Sequence, residues 1–197
     1  MWCEIVGRGR KFSTSKMFDV TERLLLTVGY EGFTIGLLAD ELQVSRAAIY
    51  KYYTNKESLI ADFMVERMTT LVDSLQNINE QDPFMKQLDQ LLEIIFSSKD
   101  LHQILSYTHV INDRGDEEII RKLTMLQQMH MLMYLPMQKM IEQGKSEQIL
   151  NQQLANDLIL GFIFQSVAIP NHTQIPKEQF LQSIKQMIFH GVFNGKQ

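Results

Sequence analysis

A run of cations and phenols carries the side chains of this chain that are best suited to bind an anion. It contains Arg46, Tyr50, Lys51, Tyr52 and Lys56. Guanidinium, ammonium and phenol groups donate hydrogen bonds to phosphate oxygens and to the acceptor edges of bases. The two positions after Arg46 are alanines, and small side chains leave a helix thin enough to lie near the floor of a major groove. We therefore expect this segment to form a helix that contacts nucleic acid.

Two short helices joined by a turn would position these side chains. The first helix carries one apolar stripe at i, i+3, i+4 and i+7, formed by Ile35, Leu38, Ala39 and Leu42. Thr34 is suited to cap this helix. A turn follows at Gln43-Val44, and Ser45 is a favourable N-cap for the second helix. This pattern predicts a helix-turn-helix.

An earlier helix completes the predicted head, which we define as residues 1–56. Apolar residues keep helical spacing over positions 13–28, with Ser13 or Ser15 as the cap and Gly29 just after the helix. The small core of the three packed helices would contain Phe18 and Phe33. The head is thus expected to be a three-helix domain.

The next helix begins with a local conflict. Thr54 and Glu57 have the spacing of a capping box, in which each side chain bonds the other's backbone. Lys56 then lies in the first turn, where a cation opposes the helix dipole at a cost of roughly 0.3–1 kcal/mol. Because no local gain offsets this cost, we expect Lys56 to meet an external anion such as a DNA phosphate. The helix should run over residues 56–77 and link the head to the rest of the chain.

The run GYEGFTIGLLADELQVSRAAIYKYYTNKESLI resembles the DNA-binding head of the tetracycline-repressor-like (TetR) family. The shared elements are a glycine-aromatic turn, a hydrophobic-Ala-x-x-hydrophobic helix, a Val-Ser turn, an Ile-Tyr pair and a Lys before a leucine-rich helix. The match covers about residues 13–62 at fixed spacing. The resemblance implies a helix-turn-helix transcriptional regulator.

The resemblance also assigns roles to single positions. Positions that the family uses for phosphate contacts are occupied by Thr34, Tyr50, Tyr52 and Lys56. Positions that approach bases are occupied by Arg46, Ala47, Ala48 and Lys51. Ser45, at the start of the recognition helix, completes the candidate DNA-binding set. The family commonly has Gly-Thr where this chain has Ala47-Ala48, so a hydroxyl is lost there and methyl contact with thymine becomes the expected interaction.

Helical spacing continues through the rest of the chain, so we expect an all-α fold without strands. Further helices are predicted over residues 84–97, 101–110, 116–143, 152–168 and 178–190. Pro136 should kink the longest of these, and Gly144 should end it. We expect two domains, with the arm and head over 1–56 and a helical ligand-binding and dimerisation body over 57–197.

Six of the twelve methionines lie on the longest predicted helix. Methionine repacks easily, so this helix could line an adaptable apolar cavity or belong to an ordinary core. Neighbouring aromatic and polar residues complete a candidate ligand site: Phe96, Tyr107, His109, Met129, Met133, Phe162 and Gln165. The expected ligand is a small apolar or amphipathic effector. Metal binding by His102, His109 and Asp113 is conceivable, but histidines satisfied by neighbours or water are favoured, and no metal is expected.

Charge is distributed unevenly over a chain whose formal net charge is −4. Residues 1–56 hold eight Lys and Arg against six Asp and Glu, whereas the remainder holds eleven against seventeen. Only the head suits a polyanion, and its cations are too few for tight binding by one copy. The resemblance adds that the last two long helices pair with those of a twin chain. We therefore expect a homodimer on a palindromic double-stranded DNA operator.

Composition limits the remaining possibilities. Cys3 is the only cysteine, which excludes an internal disulfide, and the longest apolar run is too short to cross a bilayer. A cytoplasmic protein without a membrane partner is expected. Nucleophile elbows, phosphate-binding loops and dinucleotide fingerprints are absent from the sequence, so we expect no enzyme, no catalytic residue and no cofactor.

Two functions remain open. The favoured one is a repressor that leaves its operator when a small ligand binds the body. The alternative is a helical co-regulator or carrier of the same fold whose head binds a protein and not DNA, which the modest charge of the head supports. Arg8, Arg10 and Lys11 of the N-terminal arm would either enter a minor groove or belong to a disordered tail.

Overall fold

The computed structural model describes residues 12–192, and the regular structure within them is helical. The predicted all-α class is confirmed. Nine α-helices occur in this range: α1 Thr14–Gly32, α2 Ile35–Glu41, α3 Arg46–Tyr50, α4 Lys56–Gln76, α5 Phe84–Ser97, α6 Lys99–Leu105, α7 Glu117–Ser146, α8 Asn156–Gln165 and α9 Lys177–Val192. Two short 3-10 segments, Ser106–Val110 and Ser166–Ala168, follow α6 and α8. The basic residues of the N-terminal arm lie outside the described residues.

Local signals account for the start and the bend of α1. Ser13 caps the helix, and its hydroxyl accepts a hydrogen bond from the Lys16 N–H at 3.1 Å. Gly29 has φ 70°, in the left-handed region that glycine adopts without a Cβ penalty. The regular helix therefore breaks at the predicted position. A final turn nevertheless continues to Gly32 and closes through the Phe33 N–H on the Gly29 carbonyl at 3.1 Å.

Several predicted helix limits are wrong. The helix predicted over 101–110 is α6, Lys99–Leu105, followed by the 3-10 segment Ser106–Val110. Helix α7 does not end at Gly144 but runs to Ser146. A Cβ at Gly144 would lie 2.7 Å from the Phe84 ring and 2.9 Å from Leu150, so this glycine makes room for packing and does not stop the helix. Helix α8 begins at Asn156, later than predicted, because turns occupy the residues just before Ala155, its N-cap.

The chain divides into two compact units. The first unit contains the residues up to Val65 together with Gln103–Leu123, and the second contains Glu66–His102 together with the residues from Thr124 onward. The predicted domain boundary after residue 56 rests on charge and motif, and it stays a prediction. Residues 57–65 and Gln103–Leu123 are the parts of the first unit that the sequence assigned to the body.

The first unit has a core rich in aromatic side chains. Phe18 and Phe63 meet edge to face with ring centroids 5.9 Å apart, and Phe33 is fully buried. The predicted stripe of α2 is buried as well, with exposed fractions of 6% or less. Phe12, which precedes the predicted first helix, is also buried, and its ring lies 6.2 Å from that of Tyr52. Phe12 therefore belongs to the packed unit.

The second unit has a core of aliphatic side chains and methionines. The methionines of α7 divide into two groups: Met129, Met133, Met137 and Met140 are buried, whereas Met125 and Met131 are exposed. Helix α5 contributes the apolar face that includes Phe84, Leu88, Leu91 and Leu92. Within residues 12–192, none of the helices is long and apolar enough to cross a membrane.

Candidate nucleic-acid interface

The caps and the turn that the sequence indicates determine where helices α2 and α3 begin and end. The Thr34 hydroxyl accepts a hydrogen bond from the Leu37 N–H at 3.1 Å, which confirms Thr34 as the cap of α2. Between the helices Gln43 takes a left-handed φ of 55°, and the Val44 N–H donates to the Ala39 carbonyl at 3.0 Å. Ser45 is the N-cap residue of α3, but its hydroxyl makes no capping hydrogen bond. That hydroxyl remains available to a ligand.

Helix α3 is anchored by one residue and exposes the rest. Ile49 is fully buried, whereas Tyr50 and Tyr52 are 52% and 48% exposed. Ala48 is half-buried. The other exposed members of the candidate set on this side of the fold are Thr34, Ser45, Arg46, Ala47 and Lys51. The structure thus brings eight of the nine sequence-predicted DNA-binding residues to the surface of α2, α3 and the turn after α3.

Lys56, the ninth residue, is directed toward its own unit. Its ammonium donates to the Tyr30 carbonyl at 3.1 Å and lies 4.3 Å from the centroid of the Tyr30 ring. These contacts compensate a cation in the first turn of α4. An external anion is therefore not needed to offset this cation, although a phosphate contact from this position stays a prediction.

The predicted capping box at the start of α4 is wrong. Asn55 precedes the helix, and its side-chain oxygen accepts a hydrogen bond from the Ser58 N–H at 2.7 Å. Glu57 is buried and hydrogen-bonded to the phenol of Tyr30. The carboxylate is therefore engaged by a residue from α1 and does not reach back to Thr54.

Tyr30 is the centre of a small cluster in the first unit. Its ring lies 6.2 Å from that of Tyr107, and Lys56 covers one face. Burial, the charges of Glu57 and Glu31 and the hydrogen bond to Glu57 raise the pKa of Tyr30 to about 12. The phenol is consequently held protonated as a donor to the buried carboxylate.

A buried lysine lies at the centre of a second polar network in the same unit. The Lys122 ammonium lies 2.9 Å from an oxygen of Asp62 and 2.9 Å from an oxygen of Glu118, and its side chain is 8% exposed. Asp62 also accepts a hydrogen bond from the Tyr53 phenol at 2.9 Å. Burial lowers the pKa of Lys122, but the two carboxylates outweigh it through hydrogen bonds and charge, so the pKa is raised.

Sequence reasoning missed this network. Glu118 and Lys122 have i, i+4 spacing, which indicates only an exposed pair on one helix. Asp62 and Tyr53 carry no local signal that points to position 122. The network joins Tyr53, which follows α3 by three residues, to α4 and to the first turns of α7, so Gln103–Leu123 takes part in positioning the candidate interface.

The seven candidate ligand residues do not share one environment. Tyr107 packs on Tyr30 in the first unit, where His109 is exposed. Three residues of the second unit are buried in its core, namely Phe96, Met129 and Met133. Two others in that unit, Phe162 and Gln165, are exposed. A ligand-binding role for these residues stays a prediction.

The second unit contains a small cavity with a polar wall. Its volume is about 100 Å³, and its apolar lining includes Leu75, Leu91, Pro136, Met137 and Met140. Gln87 forms part of the wall and is itself held by hydrogen bonds from its side-chain nitrogen to the Asp82 carbonyl at 2.6 Å and the Gln143 side chain at 2.8 Å. None of the seven predicted ligand residues lines this cavity.

An open groove of about 730 Å³ runs along α7 in the same unit. Its apolar wall is formed by Met131, Leu132 and Leu135, which are 54% exposed or more. His130 and Tyr134 add aromatic surface, with ring centroids 5.5 Å apart. The groove therefore exposes a contiguous apolar face, which in a folded protein usually indicates a partner.

Comparison with known proteins agrees with this geometry. Residues 18–63 match the family model described as bacterial regulatory proteins, tetR family. None of the curated proteins compared by sequence matches the chain.

The fold as a whole is similar to several solved structures. The ketosteroid transcriptional regulator KstR2 of Mycobacterium tuberculosis has a TM-score of 0.75 and 13% identity, with 98% of each chain covered. A tetR-family regulatory protein from Rhodococcus RHA1 has a TM-score of 0.70 and 13% identity, covering 89% of this chain and 94% of the other. The regulator FadR of Bacillus subtilis, solved with stearoyl-CoA, has a TM-score of 0.63 and 16% identity, covering 91% and 99%. The family match is confined to residues 18–63, and the likeness to these solved structures extends to the all-helical fold of the chain as a whole.

Proposed function

We propose that two copies of this chain repress transcription in the cytoplasm by binding a palindromic operator, and that a small apolar or amphipathic ligand in the second unit releases them. The observation that carries the DNA-binding part is the surface around buried Ile49, where α3 and the turn after it expose cations, phenols and small side chains together. Such a surface can enter a major groove and meet phosphates at its rim.

The exposed residues divide between two kinds of DNA contact. Arg46 and Lys51 are assigned to base edges, and the methyl groups of Ala47 and Ala48 to thymine. Phosphate contacts are assigned to Thr34, Ser45, Tyr50 and Tyr52. Lys56 is a phosphate contact only if its ammonium leaves Tyr30.

An apolar face of the second unit supports pairing of two copies. On α8, Leu158 and Phe162 are spaced by one turn and are 63% and 46% exposed. Between them Gly161 faces open space, which would let a partner helix approach closely. Met187 of α9 and the apolar wall of the α7 groove are exposed too. We assign this face to a second copy of the chain.

The ligand is proposed to be apolar for two reasons. Four buried methionines of α7 give the second unit a core that can repack around a guest. FadR of Bacillus subtilis, which shares the fold, was solved with stearoyl-CoA. The cavity beside Pro136 and Gln87 is a starting point for such a guest, and linkage requires operator DNA to weaken the ligand as much as the ligand weakens the DNA.

Selection of bound sequences from random DNA tests the proposed DNA readout. Arg46→Ala should relax the selected sequence at one position of each half-site, because a base contact is lost. Lys56→Ala should lower the slope of log affinity against log salt by about one per half-site, without changing the selected sequence. Absence of any selected sequence with the wild-type protein would contradict the proposed function.

Molar mass in solution tests the proposed pairing. Phe162→Asp should convert a dimer to a monomer, because a charge would be buried in an apolar interface. Gln153→Asp adds the same charge at an exposed turn position before α8 and should leave the dimer intact. A dimer that survives Phe162→Asp would show that this face does not pair the two copies.

A further inference from the structure

Gly36 of α2 is covered by the side chain of Arg46. A Cβ built on Gly36 would lie 2.7 Å from one terminal nitrogen of the guanidinium, 3.0 Å from its carbon and 3.1 Å from Nε. All three distances are shorter than normal contacts, so the guanidinium occupies the space that any other side chain at position 36 would take. Gly36 itself is buried, whereas Arg46 is exposed.

Glycine is an unfavourable residue for this position on local grounds. It lies inside α2, a helix of seven residues, where glycine lowers helix stability relative to alanine. Its φ is negative, since it is not among the glycines in the left-handed region, so the backbone does not require it. The absence of a side chain at position 36 leaves room for the guanidinium of Arg46, which is the structural reason for a glycine here.

The guanidinium is held by packing and remains available to a ligand. Across residues 12–192, the structure gives Arg46 no salt bridge and no side-chain hydrogen bond. Its donors are therefore unused, while three atoms of the guanidinium lie in the space beside Gly36. A planar donor group that is already oriented loses less freedom when it binds and discriminates better by geometry.

We propose that Gly36 is a specificity-determining residue that positions Arg46. By lacking a Cβ it seats the guanidinium at the seam between α2 and α3, from which the two parallel donors read O6 and N7 of a guanine in each half-site. This inference rests on the proposed DNA-binding function. Gly36 touches no base and acts through Arg46.

The test compares Gly36→Ala, Arg46→Ala and the double variant in selection from random DNA and in binding to the selected operator. A methyl at position 36 moves the guanidinium, which is the free end of a flexible side chain. Gly36→Ala should therefore lose preference at the same guanine as Arg46→Ala, by roughly tenfold. In the Arg46→Ala background, Gly36→Ala should have no further effect, because the group that it displaces is gone.

Thermal unfolding distinguishes a displaced Arg46 guanidinium from a destabilised fold. Alanine favours a helix more than glycine, so the melting temperature of Gly36→Ala should not fall although its DNA discrimination does. Arg46→Lys keeps the charge but lacks the planar fork, and it should lose the guanine preference with an unchanged salt slope. Asp40→Ala, at an exposed position of α2, is the control and should leave the guanine preference unchanged.

The possible outcomes distinguish this inference from the function on which it rests. Failure of the wild-type protein to select any sequence overturns the proposed function and this inference with it. A wild-type protein that selects an operator, combined with unaltered preference in Gly36→Ala, overturns this inference alone. So does a Gly36→Ala effect that persists in full in the Arg46→Ala background.

Discussion

The two compact units of this chain are stabilised in different ways. The first unit has an aromatic core with Phe18, Phe33 and Phe63, and it buries a lysine between two carboxylates. The second unit has an aliphatic core with four methionines on α7 and exposes an apolar face. Edge-to-face ring contacts and buried ion pairs depend on a fixed geometry, whereas a methionine side chain fills gaps of many shapes. The difference agrees with the proposed function, in which the first unit reads DNA and the second accommodates a ligand and a second copy.

The largest expected effect comes from the aromatic core of the first unit. Phe63→Ala removes a fully buried ring that meets Phe18 edge to face, and it should lower the free energy of unfolding by about 3–5 kcal/mol. Urea unfolding monitored by circular dichroism measures this loss. Met131→Ala, at a side chain that is 67% exposed, is the control and should cost less than about 0.5 kcal/mol. Similar costs for the two variants would contradict the assignment of this core.

Loss of the buried cation should have the next largest effect. Lys122→Met leaves Asp62 and Glu118 without their shared partner, and it should lower the free energy of unfolding by about 3 kcal/mol, since the two carboxylates are partly solvated. Lys139→Met removes the exposed pair with Glu80 and should change stability by less than about 1 kcal/mol. Denaturant titration of both variants checks the contrast. Equal effects would mean that burial of Lys122 contributes nothing.

A pH-dependent loss of stability should follow from Tyr30. Its pKa of about 12 in the folded protein exceeds the value of about 10 for an unfolded chain. The folded state therefore holds a proton that the unfolded state releases, and stability falls by about 2 kcal/mol as pH rises from about 10 to 12. Tyr30→Phe should remove this part of the decline, whereas Tyr50→Phe, at an exposed phenol, should not. Unfolding measured across this pH range would contradict the prediction if the two variants declined alike.

The smallest effect is expected in the methionine-rich core. Met137→Leu keeps side-chain volume beside a cavity of about 100 Å³, and it should cost less than about 1.5 kcal/mol. The comparison is Phe18→Leu in the first unit, which changes the shape of a buried aromatic contact and should cost more. Thermal unfolding of the two variants measures the difference. A larger cost for Met137→Leu would contradict the view that the second unit repacks easily.

The sequence by itself determined the helices and most of the exposed recognition surface. The caps at Ser13 and Thr34 and the apolar stripe of α2 depend on residues at most seven positions apart, and α5 occupies the predicted range, Phe84–Ser97. Such short-range patterns favour a local backbone conformation whatever the distant partners are. A surface helix with one buried anchor, Ile49, follows from the same periodicity.

Only the tertiary structure decided where the polar side chains of the first unit point. Lys56 donates to the carbonyl of Tyr30, which lies 26 residues away in the sequence, and Lys122 joins Asp62 across an even longer separation. Gly144 looked like a helix stop but makes room for Phe84, and Gly36 makes room for Arg46. Periodicity cannot reveal these partners, because a flexible side chain takes its direction from whichever charge or ring the packed fold brings near. The local sequence therefore determined which residues face outward. Long-range packing determined which of their side chains are fixed by a partner.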